Sequence, residues 1–161
     1  MKSTTKITID GTLPKALALT KAELKDAALF FATRSSSRIK ENFSSVSIIV
    51  QNDLESDEVH MAIMNQAGAT DVITQRYDPM PGEEEGIVGE LYVNAERAIT
   101  AYPKRKGWSA KKEFLLYVAH GIYMDNVLIL NQYILNLIFL ASFQLLQLSY
   151  LNQIPLPILW M

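Results

Sequence analysis

Two histidines and one acidic run are the side chains of this sequence with the clearest potential to hold a metal ion. The chain has no cysteine, so disulfides and thiolate metal sites are both excluded. His120 lies near the end of an apolar predicted helix, where a lone histidine is more often a structural residue. His60 faces away from Val59 and Ile63 on another predicted helix, which indicates a surface position. Glu83 to Glu85 form an acidic run in a loop, and such runs are usually solvated.

The order of four segments carries more information than any single residue. Asn65 is followed by Thr70-Asp71-Val72-Ile73-Thr74, then by Gly89-Glu90-Leu91-Tyr92-Val93, and then by Ala119-His120-Gly121-Ile122. This order resembles the YbeY family of rRNA maturation factors over the segment from Val46 to Ile122. Members of that family show an Asn ending a helix, a T-D-V-(L/I)-(S/T) strand, a G-(D/E)-(I/L)-x-(I/V) strand and a helix with H-G-x-L-H.

The resemblance implies a Zn²⁺-dependent, single-strand-specific endoribonuclease in late-stage rRNA 3′-end maturation and ribosome quality control. It implies ribosomal RNA or a ribosomal subunit as the partner, and no DNA. His120 would be a metal ligand, and Thr70 and Asp71 would shape the strand beside the site. In the family, H-G-x-L-H is followed six residues later by a third His or an Asp. Histidines four apart on a helix share one face and can bind one ion, which activates a water molecule.

The sequence departs from the family pattern at two of the three ligand positions. His120 and Gly121 match, but Met124 and Leu130 stand at the second and third positions. Neither of these side chains can replace imidazole at a Zn²⁺ site. Asp125 is a candidate substitute, but five residues of helix place it about 140° around the axis from His120. We therefore expect an incomplete metal site and impaired hydrolysis.

Two positions outside the metal motif also depart from the family. Gln75 follows the Thr-Asp-Val strand where members usually carry an apolar residue. No Arg is found just after Asn65, where many members have one, so a role for that Arg in RNA binding is not carried over to this chain.

The distribution of charge divides the chain into two parts. The net charge of -2 gives no overall sign of nucleic-acid binding. All charged residues lie at or before Asp125, and residues 126–161 contain no Lys, Arg, Asp, Glu or His. We predict a domain over residues 1–125 and an apolar tail over residues 126–161. The first 19 residues lack the continuous apolar segment of a signal peptide, so the expected location is the cytoplasm.

Three interpretations of the tail stay open at the level of sequence. The codons of Ile122 to Asp125 permit His-Gly-Ile-Leu-His-Gly in the neighbouring frame, so the loss of one base would explain both the broken motif and an out-of-frame tail. The domain would then be a non-catalytic remnant. Alternatively, Val127 to Leu151 is long enough to span a bilayer behind the basic segment Lys104 to Lys112, as in a small membrane-anchored protein. Its Asn and Gln residues weaken that interpretation, and a buried amphipathic helix is the third.

Periodicity and capping signals predict the elements that must position these residues. Four strands are predicted by alternating or β-branched runs, at Lys6–Ile9, Ser45–Val50, Thr70–Thr74 and Gly89–Val93. Four helices are predicted, at Lys21–Arg34 with a Thr20/Glu23 capping box, at Ser56–Gln66, after Asn94 and from Ser109. Ser35 to Ser37 and Gly68 are predicted to end the first two helices. The order β-α-β-α-β-β-α-α predicts an α+β fold with a single mixed sheet and packed helices, followed by the apolar tail.

Overall fold

The computed structural model describes residues 5–39, 43–78, 81, 86–104 and 106–124, all within one compact unit, Met1–Val127. The strands are β1 (Lys6–Asp10), β2 (Phe43–Gln51), β3 (Val72–Tyr77) and β4 (Ile87–Asn94). The helices are α1 (Lys21–Ile39), α2 (Asp53–Met64), α3 (Ala95–Ala101) and α4 (Ala110–Met124), and a 3₁₀ turn covers Lys15–Leu17. The predicted order of strands and α-helices is confirmed. The predicted tail, with Asp125 and Leu130, lies outside the described residues, and its boundary stays a prediction.

The four strands form one mixed sheet in the order β1-β2-β4-β3. Strands β1, β2 and β4 run parallel to one another, whereas β3 runs antiparallel to β4. The predicted α+β fold with a single mixed sheet is therefore confirmed. Because Val72 pairs with Val93, the start of β3 lies at the same edge of the sheet as the end of β4. None of the helices in the described part of the chain is both long enough and apolar enough to cross a membrane.

The core lies between one face of the sheet and helices α1 and α4. Side chains at alternate positions of β2 and β4 are buried on this face, and the register places Ile48 opposite Leu91 and Val50 opposite Val93. The helices contribute buried residues at helical spacing, namely Leu24, Ala28, Phe31, Phe114, Val118 and Ile122. Burial of this apolar surface is the main favourable contribution to folding.

The start of α1 confirms the predicted capping box. The Thr20 hydroxyl accepts from the Glu23 backbone N–H at 3.2 Å, and the Thr20 N–H donates to Glu23 Oε2 at 2.8 Å. Lys111 of α4 donates to Glu23 Oε1 at 2.8 Å. This bond, together with the bonds from Thr20, lowers the pKa of Glu23 to about 2. One carboxylate therefore both caps α1 and joins it to the first turn of α4.

The predicted end of α1 at Ser35 to Ser37 is wrong, because the helix continues to Ile39. Serine has a weak helix propensity and competes for backbone hydrogen bonds. Ser35, however, is only 1% exposed, and its hydroxyl lies 3.5 Å from the carbonyl oxygen of Ile122 on α4. Tertiary packing between α1 and α4 therefore overrides the local signal.

The predicted start of α2 at Ser56 is also wrong. Asn52 caps the helix instead, with Oδ1 accepting from the Glu55 N–H and Glu55 Oε2 accepting from the Asn52 N–H, both at 2.9 Å. Ser56 lies buried in the first turn, where its hydroxyl bonds to both backbone groups of Thr70 at 3.1 Å. Asn is at least as good an N-cap as Ser, and the Ser56 hydroxyl serves to join α2 to the segment before β3.

The end of α2 also differs from the prediction, because an asparagine caps the helix instead of the predicted residue. The helix ends at Met64, and Asn65 takes the left-handed C-cap conformation with φ of 54°. Gly68, predicted to end the helix, lies three residues beyond that cap. Asn is the non-glycine residue that tolerates this conformation best, so the family-like Asn65 has a local structural role here.

Gly121 is the point of closest approach between α4 and the sheet. A Cβ atom at this position would lie 2.8 Å from Leu91 Cδ2, 3.0 Å from Thr74 Oγ1 and 3.0 Å from Val72 Cγ2. The Thr74 hydroxyl also donates to the Gly121 carbonyl oxygen at 3.3 Å. Only a residue without a side chain allows the helix to lie this close to β3 and β4.

We expect Gly121→Ala to destabilise the protein by about 1 to 3 kcal/mol, the usual cost of overpacking a core. The direction of this change in stability is informative, because replacing glycine with alanine inside a helix otherwise stabilises a protein by about 1 kcal/mol. Urea unfolding measures the free energy of unfolding of Gly121→Ala, of Leu91→Val and of the double variant. Gly121→Ala should cost less in the Leu91→Val background than in the unmodified protein, because the smaller side chain leaves room for the added methyl group. A neutral or stabilising Gly121→Ala would show that this contact does not constrain α4.

Candidate functional site

Helix α4 places His120 near the end of the sheet at which β3 begins and β4 ends. The residue that follows, Gly121, packs on Val72 at the start of β3, and His120 itself is half-buried. Burial lowers the pKa of His120 below its ordinary value, and the Asp71 carboxylate opposes this shift by stabilising the imidazolium. The imidazole is therefore mainly neutral at neutral pH, with a carboxylate in its electrostatic neighbourhood.

Asp71 is held by an arginine that the sequence analysis did not single out. Arg97 Nε lies 3.0 Å from Asp71 Oδ1, and Arg97 Nη1 donates to the carbonyl oxygen of Ala69 at 2.9 Å. Both side chains of the ion pair are about half exposed, so the pair adds little to stability. Its consequence is local, because the guanidinium balances the Asp71 charge near His120.

Asn94 joins the end of β4 to three neighbouring segments. It is fully buried, its backbone N–H donates to the Asp71 carbonyl oxygen at 2.9 Å, and its Oδ1 accepts from the Arg97 N–H at 2.9 Å. Its Nδ2 donates to Asp53 Oδ1, at the start of α2, at 2.7 Å. The predicted capping of α3 by Asn94 is confirmed, but the bond to Asp53, 41 positions away in the chain, was not predicted.

Tyr117 is a further polar group of this site, one helical turn before His120. Burial raises its pKa strongly, and the carboxylates of Glu113 and Asp71 raise it further. The phenol therefore stays protonated, with its hydroxyl hydrogen-bonded to Glu113, and it cannot act as a base at neutral pH. The spacing of three residues from His120 was a signal available in the sequence, since such residues share a helix face.

The residues assembled here do not fit a zinc site. The described residues contain no group of three or more His, Asp or Glu side chains that could hold a metal ion. His120 supplies one imidazole, and the Asp71 carboxylate is engaged by Arg97. Met124, at the second ligand position, carries a thioether that does not replace imidazole on Zn²⁺. The third position, Leu130, lies outside the described residues.

The other candidate residues of the sequence have local partners of their own or lie beyond the described part of the chain. His60 is half-buried, and its Nδ1 lies 2.6 Å from the Gly68 carbonyl oxygen, in the loop after α2. Gln75 pairs with Glu90 across β3 and β4, and its Oε1 accepts from the Tyr77 hydroxyl at 2.7 Å. Glu83 to Glu85 lie outside the described residues.

Comparison with known proteins places this arrangement in a family. A sequence profile described as "Endoribonuclease YbeY" matches residues 15–123. Among solved structures, the chain is similar to the solution structure of TM1509 from Thermotoga maritima, with 23% identity and a TM-score of 0.45, covering 73% of this chain and 69% of that one. No curated protein matches the chain.

We expect Asn94→Asp to destabilise the protein by about 2 to 4 kcal/mol near pH 7, because it replaces a buried donor with a carboxylate facing Asp53. Repulsion between two carboxylates raises the folded-state pKa of the pair above its unfolded value. The penalty is therefore complete above that raised pKa and decreases as the pH falls through it. Urea unfolding near pH 7 and near pH 5 measures the difference.

A matched control exists at the other asparagine N-cap. Asn52 is exposed and caps α2, and Asn and Asp are about equally good caps. Asn52→Asp should change stability by less than about 0.5 kcal/mol at both pH values. Equal effects of the two substitutions would show that the bond from Asn94 to Asp53 does not hold the strand ends together.

Proposed function

The chain belongs to the YbeY endoribonuclease family, and on that premise we propose that it binds single-stranded segments of ribosomal RNA but has lost most of the family's hydrolytic activity. The family acts as metal-dependent endoribonucleases in rRNA maturation, which gives this chain its general role. The finer assignment is that the chain engages the 3′ end of rRNA on a ribosomal subunit. The cytoplasmic location stays a prediction for this chain, and zinc is the cofactor that the family implies at a site that is incomplete here.

The observation that carries the proposal is the residue one turn after His120. A zinc ion that activates water in a hydrolase is usually held by three protein ligands. Position 124, which should present the second imidazole on the face of His120, is methionine. One half-buried imidazole and one carboxylate already paired with Arg97 form a weak donor set. The step that generates the nucleophile should therefore be impaired.

Arg97 is the side chain of the site that is suited to binding a phosphodiester. It presents a planar guanidinium beside the Asp71 carboxylate, and arginine recognises phosphate well because of its fixed donor geometry. Tyr117 is buried and its hydroxyl is hydrogen-bonded to Glu113, so it supports the helix from inside. The guanidinium can therefore support RNA binding without supplying an activated water molecule.

We expect the present chain to hold no zinc at the His120 site and a frame-restored chain to hold about one zinc per chain. Inserting the missing base between codons 122 and 123 gives Tyr123→Leu and Met124→His and replaces the residues that follow. Both proteins are dialysed against zinc and then against buffer, and metal content is measured by mass spectrometry. Adding His120→Ala to the restored chain should remove its zinc.

Cleavage of structured RNA with single-stranded ends should depend on zinc content in these three proteins. The restored chain should cut the RNA, and both the present chain and the restored His120→Ala variant should remain at background. A chelator should abolish the restored activity. Robust zinc-dependent cleavage by the present chain that disappears in His120→Ala would contradict the proposal, as would equal zinc content in the present and restored proteins.

A further inference from the structure

The segment between α3 and α4 concentrates positive charge in an otherwise acidic chain. Six of the fifteen basic residues, and none of the seventeen acidic ones, lie between Arg97 and Lys112. The net charge of -2 therefore hides one strongly basic segment. Clustered Lys and Arg residues are the electrostatic signature of a nucleic-acid-binding surface.

Some of these cations have intramolecular partners, and two project from the loop. Arg97 pairs with Asp71, and Lys111 pairs with Glu23. Lys104 and Lys106 are both exposed. Lys104 Nζ lies 3.2 Å from the centroid of the Tyr102 ring. The loop therefore presents two exposed ammonium groups, one of which lies over a half-buried aromatic ring.

The second aromatic ring of the loop joins it to the candidate site. Trp108 donates its indole N–H to Glu113 Oε2, and Glu113 also hydrogen-bonds to Tyr117 and contributes to its raised pKa. Glu113, Tyr117 and His120 follow one another at helical spacing on α4. Glu113 and His120 are seven helical steps apart, which corresponds to about 10 Å along the axis. A few nucleotides of an extended single strand are therefore enough to reach from the loop to the site.

We propose that Lys104, Lys106 and the rings of Tyr102 and Trp108 form a second RNA contact, which holds the single-stranded segment adjoining the phosphodiester at His120. This inference rests on the proposed function, because it names the path of the same RNA outside the site. Proteins bind single strands through cations that follow the backbone and aromatic rings on which bases stack. This loop combines cations and aromatic rings close to the site around His120.

The test is fluorescence anisotropy with a labelled single-stranded RNA of about 12 nucleotides at several salt concentrations. The slope of log K against log salt is negative, and each lost phosphate contact decreases its magnitude by about 0.7 for a single strand. Lys104→Gln with Lys106→Gln should therefore decrease the magnitude of the slope by about 1.4 and weaken binding about 25-fold at 0.1 M salt. Lys21→Gln with Lys25→Gln, on the exposed side of α1, removes the same charge and should leave both quantities almost unchanged.

The outcomes separate this inference from the proposed function. If the unmodified chain binds the RNA but the loop variant binds as the α1 variant does, the loop contact is wrong and the proposed function stands. If the unmodified chain does not bind RNA at all, both are wrong. Binding to vesicles of anionic phospholipid that depends on Lys104 and Lys106, with RNA binding unaffected, would overturn the inference in favour of a membrane surface.

Discussion

The contact of α4 with the sheet at Gly121 fixes the geometry on which the candidate site depends. Leu91 and Thr74 approach this glycine so closely that a Cβ atom would overlap them. Phe114, Val118 and Ile122 are buried at intervals of four residues on the same helix, which prevents the helix from rotating. The distance of α4 from the sheet and its rotation about its own axis together determine where the His120 imidazole lies. The position of the histidine is therefore a consequence of core packing.

A second constraint holds the edge of the sheet that faces His120. Asn94 is buried among groups from β4, α2 and the segment before β3, and it uses its backbone N–H, its side-chain oxygen and its side-chain nitrogen. A buried polar group with all these bonds formed makes a local structure more specific, because each alternative arrangement leaves a polar atom unsatisfied. Asp71 is thereby held on a rigid backbone, and Arg97 completes its surroundings. Sites on rigid elements are better defined than sites on loops.

The sequence predicted those parts of the structure that local patterns encode. Alternation in β2 and β4, the Thr20 capping box and the apolar face of α4 each depend on neighbours within a few residues. The errors at Ser35 and Ser56 have one physical cause, since both hydroxyls are buried against distant segments that no local pattern reveals. Local propensity is a weak determinant where tertiary contacts compete with it.

The same distinction explains which site residues were predicted. His120 and Asp71 were found because their segments occur in a recognisable order along the chain. Arg97 and the pairing of Asn94 with Asp53 were missed, because partners so far apart in sequence meet only through the fold. Tyr117 was accessible in principle from its spacing to His120, but an aromatic residue on an apolar helix is normally read as core.

The histidine-glycine motif combines a packing requirement at Gly121 with a chemical role proposed for His120, and the two are physically independent. Gly121 is needed for packing, so its loss would cost stability whether or not an ion is bound. Under the proposed function, position 124 is where the family would supply its second metal ligand. Methionine is a better helix former than histidine, so the helix bears no evident penalty for carrying it. The matched family profile ends at residue 123, just before that ligand. The matched segment therefore includes His120 and Gly121 but not position 124. Under the proposed function, the packing at Gly121 can be kept where the metal site is incomplete, because the two depend on different residues.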